Sequence, residues 1–346
     1  MSVQTTYEMM KAKLSKVVPD VELRIKAELV DEINRLKVEK NAVILGHNYM
    51  EPALYHTIPD FVGDSLYLSR MAAKTDKDII VFCGVKFMAE TAKILNPSKT
   101  VLVPSNRAGC SLAESITAAD VRALKARYPG VPVVAYVNTY ADVKAEVDVC
   151  CTSGNAVAVV ESFGDQTIIF LPDEYLAQNV ARETGKHIIF PTLTGPSDPT
   201  NATSLDYQMV GWRGRCEVHE KFTVSDINNI RAQFPEVLIL AHPECSPAVT
   251  MASDMSGSTS EMIKFIEKSS APNYLLLTEC SMGDNIAAAL PDKEMLRLCS
   301  IRCPHMNQIT LEDTLKALQL NRYQIELPAE IIQRAARSVE RMIAIG

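Results

Sequence analysis

Three cysteines stand in loop-like sequence among Gly, Arg or Pro: Cys110 in NRAGC, Cys216 in GWRGRC and Cys303 in CSIRCP. Cys110 and Cys216 are 106 positions apart, and Cys216 and Cys303 are 87 apart. Thiolate ligands favour zinc or an iron–sulfur cluster. Structural zinc usually fills four positions from closely spaced ligand pairs, and no fourth cysteine shares this pattern. If the three converge, they form an incomplete metal site. Three cysteines on a four-iron cluster leave one iron open to act as a Lewis acid. Taken alone, the Cys299-x3-Cys303 pair leaves disulfide and zinc readings open.

Polar residues recur with a similar rhythm. Three apolar runs end in pairs spaced i, i+2: His47 and Tyr49, Tyr136 and Asn138, His242 and Glu244. On a strand such pairs share a face, and in open parallel sheets ligands sit beyond the carboxyl ends of strands. Small polar triplets precede three helical patterns: Gly63-Asp64-Ser65, Thr152-Ser153-Gly154 and Gly257-Ser258-Thr259. Helix N-termini offer free N–H groups to an anion. The same residues also serve as plain N-caps, and both uses are compatible. Lys86 in GVKFM reads as a helix-start charge more readily than as a Schiff-base lysine. His219 is either a proton carrier near the metal site or a polar loop residue.

The elements that must hold these residues come in three rounds. The first has strands in NAVILGHNYM, DIIVFCGV and TVLVP, and the second in VPVVAYVNT, TIIFLPD and HIIFPTLTG. The third has EVLILAHPEC and NYLLLTEC. Short apolar runs bounded by polar residues read as buried parallel strands. His47 to Tyr136 is 89 positions and Tyr136 to His242 is 106, whereas for the cysteines the longer step comes first. One insertion of about 17 residues, after Ser153 and before Cys216, reconciles the two; polar, turn-rich 196–214 is the candidate.

The expected fold is α/β: three pseudo-threefold-related three-layer αβα domains, each with a short parallel sheet, around a central active site. The expected boundaries are 41–127 (after an N-terminal helix within 1–40), 128–216 and 217–305, with C-terminal helices over 306–346 packing back on the body.

Composition limits the function. A chain of 346 residues with 47% hydrophobic and 22% charged content has an ordinary globular make-up. Its net charge of −7, without basic runs, points away from nucleic acid. No apolar run reaches membrane length, and the N-terminal sequence lacks an apolar signal core, so the expectation is cytoplasmic. Nine cysteines are an odd number and no small secreted disulfide framework; Cys83, Cys150 and Cys151 read as core residues. No G-x-G-x-x-G follows a strand, which disfavours a nicotinamide dehydrogenase.

The strings GHNYMEP, GDSLYLSRMA, GVKFMAETAKILNP, AGCSLAES, YVNTYADVKAEVDVCCTSGNA, RGRCEVHEKF, AHPEC, SGSTSEMI and CPHMNQITL, in this order, closely resemble the quinolinate synthases of bacterial NAD biosynthesis. The resemblance runs from about Asn41 to the last helices. It implies condensation of iminoaspartate with dihydroxyacetone phosphate to quinolinate, with release of phosphate and two waters. It also implies one [4Fe–4S] cluster per chain, ligated by Cys110, Cys216 and Cys303. Some members carry a Cys-x2-Cys-x2-Cys run at the last ligand; this chain departs from it, which leaves the role of Cys299 open. On this resemblance Glu244 and Tyr49 are expected as general acid/base, and His47 and His242 as groups that orient substrate or shuttle protons. Tyr136 and Asn138 are expected to grip a carboxylate, while Ser65, Ser153, Ser258 and Thr259 hold phosphate and carboxylate. Iminoaspartate hydrolyses readily, so hand-off from an aspartate oxidase is a further expectation. An aconitase-type hydro-lyase using the same open iron, or a cluster-based dicarboxylate sensor, are the alternatives.

Overall fold

The computed structural model describes residues 2–191, 207–298 and 301–346. Its body is built on three short sheets, all parallel. The first holds β1 (Ala42–His47), β2 (Phe61–Gly63), β3 (Ile79–Cys83) and β4 (Thr100–Leu102) in the order β2-β1-β3-β4. The middle sheet holds β5 (Val133–Tyr136), β6 (Val149–Cys151), β7 (Ile168–Leu171), β8 (Ile188–Ile189) and β9 (Met209–Gly211), ordered β6-β5-β7-β9-β8. The third holds β10 (Leu238–Ala241), β11 (Met255–Ser256), β12 (Asn273–Leu277) and β13 (Glu294–Leu296), ordered β11-β10-β12-β13. The order second, first, third strand therefore recurs in all three sheets, flanked by helices as the three-layer expectation requires.

In each round the first strand ends at the pocket pair and a tiny second strand lies beside it. β2, β6 and β11 are two or three residues long, and each ends just before a polar triplet or within one residue of it. Crossover helices follow: Ser65–Lys74 and Lys86–Leu95, Ala156–Glu161 and Glu174–Thr184, Thr259–Lys268 and Cys280–Ala289. Their starts are capped in ways the sequence dictates. Asp64 accepts from the Tyr67 N–H, Asp173 from Leu176, and Ser258 forms a reciprocal capping box with Glu261.

The middle round differs by one strand. The described part of the run HIIFPTLTG, residues 187–191, holds the two-residue edge strand β8, while β9 takes the interior place beside β7, pairing Ile168 with Met209. Residues 196–206 of the proposed insertion, like Cys299, lie outside the described residues; the described remainder of 196–214 contains the buried strand β9.

The helix Leu311–Leu320 packs on the N-terminal helix Asp20–Glu39 and β3. The last helix, Ala329–Ala344, lies on β6 and the first-domain helix Lys86–Leu95. Among the described residues no helix is long and apolar enough to cross a membrane.

Candidate active site

The first strands β1, β5 and β10 stop at a common cavity of about 70 Å³. His47, Tyr49, Ser65, Tyr136, Asn138, Ser153, His242, Glu244 and Thr259 line it together with Cys110, Cys216 and Cys303. Ser258 does not line it. Its hydroxyl accepts from the Glu261 N–H, so it works as the helix cap. Ser153 lies in a turn before its helix, which begins only at Ala156. Lys86 also stays outside the cavity, half-exposed, with its ammonium 3.8 Å from Glu90 and over the Tyr140 ring.

The pairs are set by the turn that ends each strand. Nδ1 of His47 accepts from the Tyr49 backbone N–H at 3.2 Å, and Nδ1 of His242 accepts from Glu244 N–H at 3.3 Å. The same ring-to-backbone bond thus recurs in the first and third rounds, leaving Nε2 to carry the proton of each neutral ring. Burial lowers the pKa of His47 to about 4. Burial, helped by neighbouring His219, lowers that of His242 to about 3. Both rings are neutral at pH 7.

Glu244 is 3% exposed, yet held anionic. Burial alone would raise its pKa, but the facing His219 and His242 and the donors around it reverse the sign. Tyr136 donates to Glu244 Oε1 at 2.5 Å and Asn138 donates to the same oxygen at 3.3 Å. The two residues expected to grip a substrate carboxylate therefore grip the protein's own. Nδ1 of His219 lies 2.7 Å from Glu244 Oε2 and 3.2 Å from Cys216 Sγ. On its other side, Nε2 is 2.9 Å from Thr278 Oγ1, which is 2.5 Å from the Tyr49 hydroxyl. A hydrogen-bonded chain thus runs from Tyr49 through Thr278 and His219 to Glu244 and Tyr136. Burial raises the pKa of both tyrosines well above the ordinary value, so both carry their protons.

Thr278 escaped the sequence reading because it directly follows β12, the central neighbour of a first strand, and carries no motif of its own. His219 was visible only through its distance from Cys216. Asp64 and Thr152, members of the polar triplets but not among the expected site residues, also line the cavity.

The three cysteines enter from three different loops, and all are free thiols. Each sulfur accepts backbone N–H groups two and three residues onward: Leu112 and Ala113 for Cys110, Val218 and His219 for Cys216, His305 and Met306 for Cys303. Burial pushes the Cys110 thiol up to about 12 and Cys303 to about 11, with Cys216 also well above its usual value. Buried thiols with N–H donors aimed at sulfur, and a carboxylate as the nearest charge, ionise only when a metal takes the proton's place. This donor set fits a cluster with three cysteine ligands. Ligand atoms of Cys216, His219 and Glu244 also lie within 4.8 Å of one another. There, however, the His219–Glu244 separation of 2.7 Å is that of a hydrogen bond. Two ligands of one tetrahedral zinc stand roughly 3.3 Å apart or more.

The sequence model of the NadA family, described as quinolinate synthetase A protein, matches residues 31–344. Quinolinate synthase 2 of Mesorhizobium japonicum is 48% identical over 344 residues, covering 99% of both chains. The quinolinate synthase of Caulobacter vibrioides is 48% identical, covering 96% of this chain and 85% of the relative. That of Xylella fastidiosa is 50% identical, covering 91% and 87%. With matches of this length and identity to a site so composed, the chain belongs to the quinolinate synthase family of enzymes.

Proposed function

We propose that this enzyme condenses iminoaspartate with dihydroxyacetone phosphate, forming quinolinate, phosphate and two waters, in the cytoplasm. The observation that carries this reading is the meeting of Cys110, Cys216 and Cys303 with Glu244, Tyr49 and two neutral histidines at one buried cavity. Cys110, Cys216 and Cys303 would hold one [4Fe–4S] cluster per chain, which supplies an open Lewis-acidic iron for substrate oxygens or nitrogen.

The chain's own residues then divide the proton work. Glu244, anionic, takes a proton at Oε2, on the side facing His219. Tyr49, neutral, gives one from its hydroxyl and is recharged through Thr278 and His219. His47 and His242 present Nε2–H donors to the substrate without a charge that burial would penalise. Tyr136 and Asn138 exchange Glu244 for a substrate carboxylate as the base changes state. Ser65, Ser153 and Thr259 offer hydroxyls to phosphate and carboxylate, while Ser258 serves them only by capping its helix. Hand-off of the short-lived iminoaspartate from an aspartate oxidase fits this scheme.

The test combines two readouts on oxygen-free protein: iron and sulfide per chain, and quinolinate with phosphate released from the two substrates. Wild type should carry about four of each element and release both products. Cys110→Ala, Cys216→Ala and Cys303→Ala should lose the cluster. Glu244→Gln should keep the cluster and lose turnover by about 100-fold or more. Near-normal turnover in Glu244→Gln would remove it from the chemistry. A cluster that survives loss of any of the three cysteines would remove that ligand.

A further inference from the structure

The turns that aim the pocket residues are each held by a buried polar side chain, in two of the three cases from across a domain boundary. In the first domain the Met50 N–H closes the turn on the His47 carbonyl at 3.0 Å. The carbonyls of Asn48 and Met50, on either side of Tyr49, both accept from Asn285 Nδ2, at 3.1 and 2.9 Å. Asn285 belongs to the third domain's helix Cys280–Ala289. In the third domain the Cys245 N–H closes the same turn on His242 at 2.9 Å. The carbonyls of Pro243 and Cys245, on either side of Glu244, accept from Asn179 Nδ2 at 2.8 and 3.0 Å. Asn179 belongs to the middle domain's helix Glu174–Thr184, and its Oδ1 accepts from Thr250 of the third domain at 2.8 Å. Both asparagines are the sixth residue of their helix. Because carbonyls only accept, the orientation of each amide is fixed by its partners.

The middle domain solves the same problem with charge. The carbonyls of Val137 and Thr139, on either side of Asn138, accept from the ammonium of Lys144, at 2.9 Å for Val137 and closer for Thr139. Lys144 is fully buried. The first domain's helix Lys86–Leu95 supplies the opposing charge: Glu90, 4% exposed, which also accepts the Ala141 N–H at 2.8 Å. The helix contacts therefore run in a ring, third domain to first, first to middle, middle to third.

A buried carbonyl needs some donor, so one such bond would be unremarkable chemistry. Here three forks, two of asparagine and one of lysine, grip the carbonyls flanking the i+2 residue of each pair. Fixing the peptide planes at both ends of the two-residue step that begins at the i+2 residue restrains the backbone dihedrals within that step, and so the direction of the i+2 side chain. We propose that Asn285, Asn179 and Lys144, the last on a helix whose first N–H is held by Glu90, are positioning residues. Each holds one strand-end turn, the asparagines directly across a domain interface and Lys144 with Glu90 behind its helix, and so aims Tyr49, Glu244 and Asn138 respectively. The inference rests on the reading that these three side chains face substrate.

The test uses Asn179→Asp and Asn285→Asp in the full chain, cluster-loaded and oxygen-free. Each keeps the shape and turns a two-donor fork into oxygens facing two carbonyl oxygens. Asn179→Asp should lower kcat about 10- to 100-fold while KM stays within about threefold, because Glu244 acts in the chemistry. Hydrogen exchange provides a readout independent of turnover. Exchange in the 242–246 turn should quicken about tenfold or more in Asn179→Asp, and in the 47–51 turn in Asn285→Asp, each without the other. Should either Asp variant fail to fold, the corresponding Ser variant, which keeps one donor, is read the same way. Unchanged exchange in the turn that the altered asparagine grips, equal quickening in both turns, or kcat that falls only with the folded fraction, would overturn the proposal. A wild-type chain without quinolinate formation would overturn the functional reading instead, and the exchange result would still decide whether the forks hold the turns.

Discussion

His47 and His242 are buried to the point where a proton on either ring is a cost to the fold. An unfolded histidine titrates near 6.5, whereas these two are lowered to about 4 and about 3. Their folded pKa values lie below the unfolded ones, so as pH falls the unfolded chain binds protons first. Their contribution is complete above about pH 6.5 and is lost through the window down to about 4 for His47 and about 3 for His242. Between pH 7 and pH 5 each ring should cost the fold about 2 kcal/mol. Glu244 acts at lower pH: its carboxyl is held below the unfolded range, so its contribution is present above about pH 4.3 and is lost as pH falls further. Urea unfolding at pH 7 and pH 5 reads these two rings as the difference between wild type and variant, since His56, lowered to about 4, and Glu279, raised to about 7 by burial, also titrate across that window. His47→Gln and His242→Gln should each shrink the stability lost between those two pH values. An identical loss in wild type and both variants would mean that the rings are hydrated rather than dry.

At the scale of elements, the loop that delivers Cys216 is fitted too closely for any side chain at Gly214. The Gly214 N–H donates to the Pro172 carbonyl at 3.0 Å, and its own carbonyl accepts from Glu174 at 2.7 Å. A Cβ there would stand 2.6 Å from that same Pro172 oxygen and 2.4 Å from Ser115 Oγ. The serine can turn away; the backbone oxygen at the end of β7 cannot. Gly214→Ala should therefore cost about 1–3 kcal/mol and displace Cys216, two residues on. Thermal unfolding together with iron content would report this, and a variant with wild-type values for both would show that the loop yields. The sequence carried the first strands of each round because they are unbroken apolar runs ending in polar pairs. It hid β2, β6 and β11, which are too short to show a period, and β9, which sits at the end of a polar stretch. The pocket pairs and cysteines could be found by spacing. Thr278 and the two asparagines could not: an Asn inside a helix reads as solvent-facing, and only tertiary contact reveals that Asn179 and Asn285 face a neighbour's turn.

At the scale of the whole molecule, the three domains do not share their cores equally. One continuous core runs through the first and middle sheets, the N-terminal helices and the C-terminal helices. The strands of the third sheet bury their side chains in two smaller cores of their own. The last helix, Ala329–Ala344, is what joins the first two: Ser338 donates to the Lys144 carbonyl at 2.8 Å, Asn155 to the Met342 carbonyl at 3.0 Å, and Arg70 to the Ile343 carbonyl at 3.1 Å. Met342 is fully buried in this seam. Met342→Ala should cost about 2–5 kcal/mol, and the loss should fall on the first and middle domains together. Hydrogen exchange at increasing urea separates the units. Peptides from β1 to β7 should lose protection at lower urea in the variant, while those from β10 to β13 keep their wild-type midpoint. That outcome would support the proposed boundary at 217 as a boundary of cooperativity as well as of sequence repeat. A single midpoint, shifted equally everywhere, would mean that contacts such as Asn179 to the 242–245 turn weld the third domain to the rest. On the proposal that those contacts aim Glu244, catalysis should fail at the first transition and not at the last in either case.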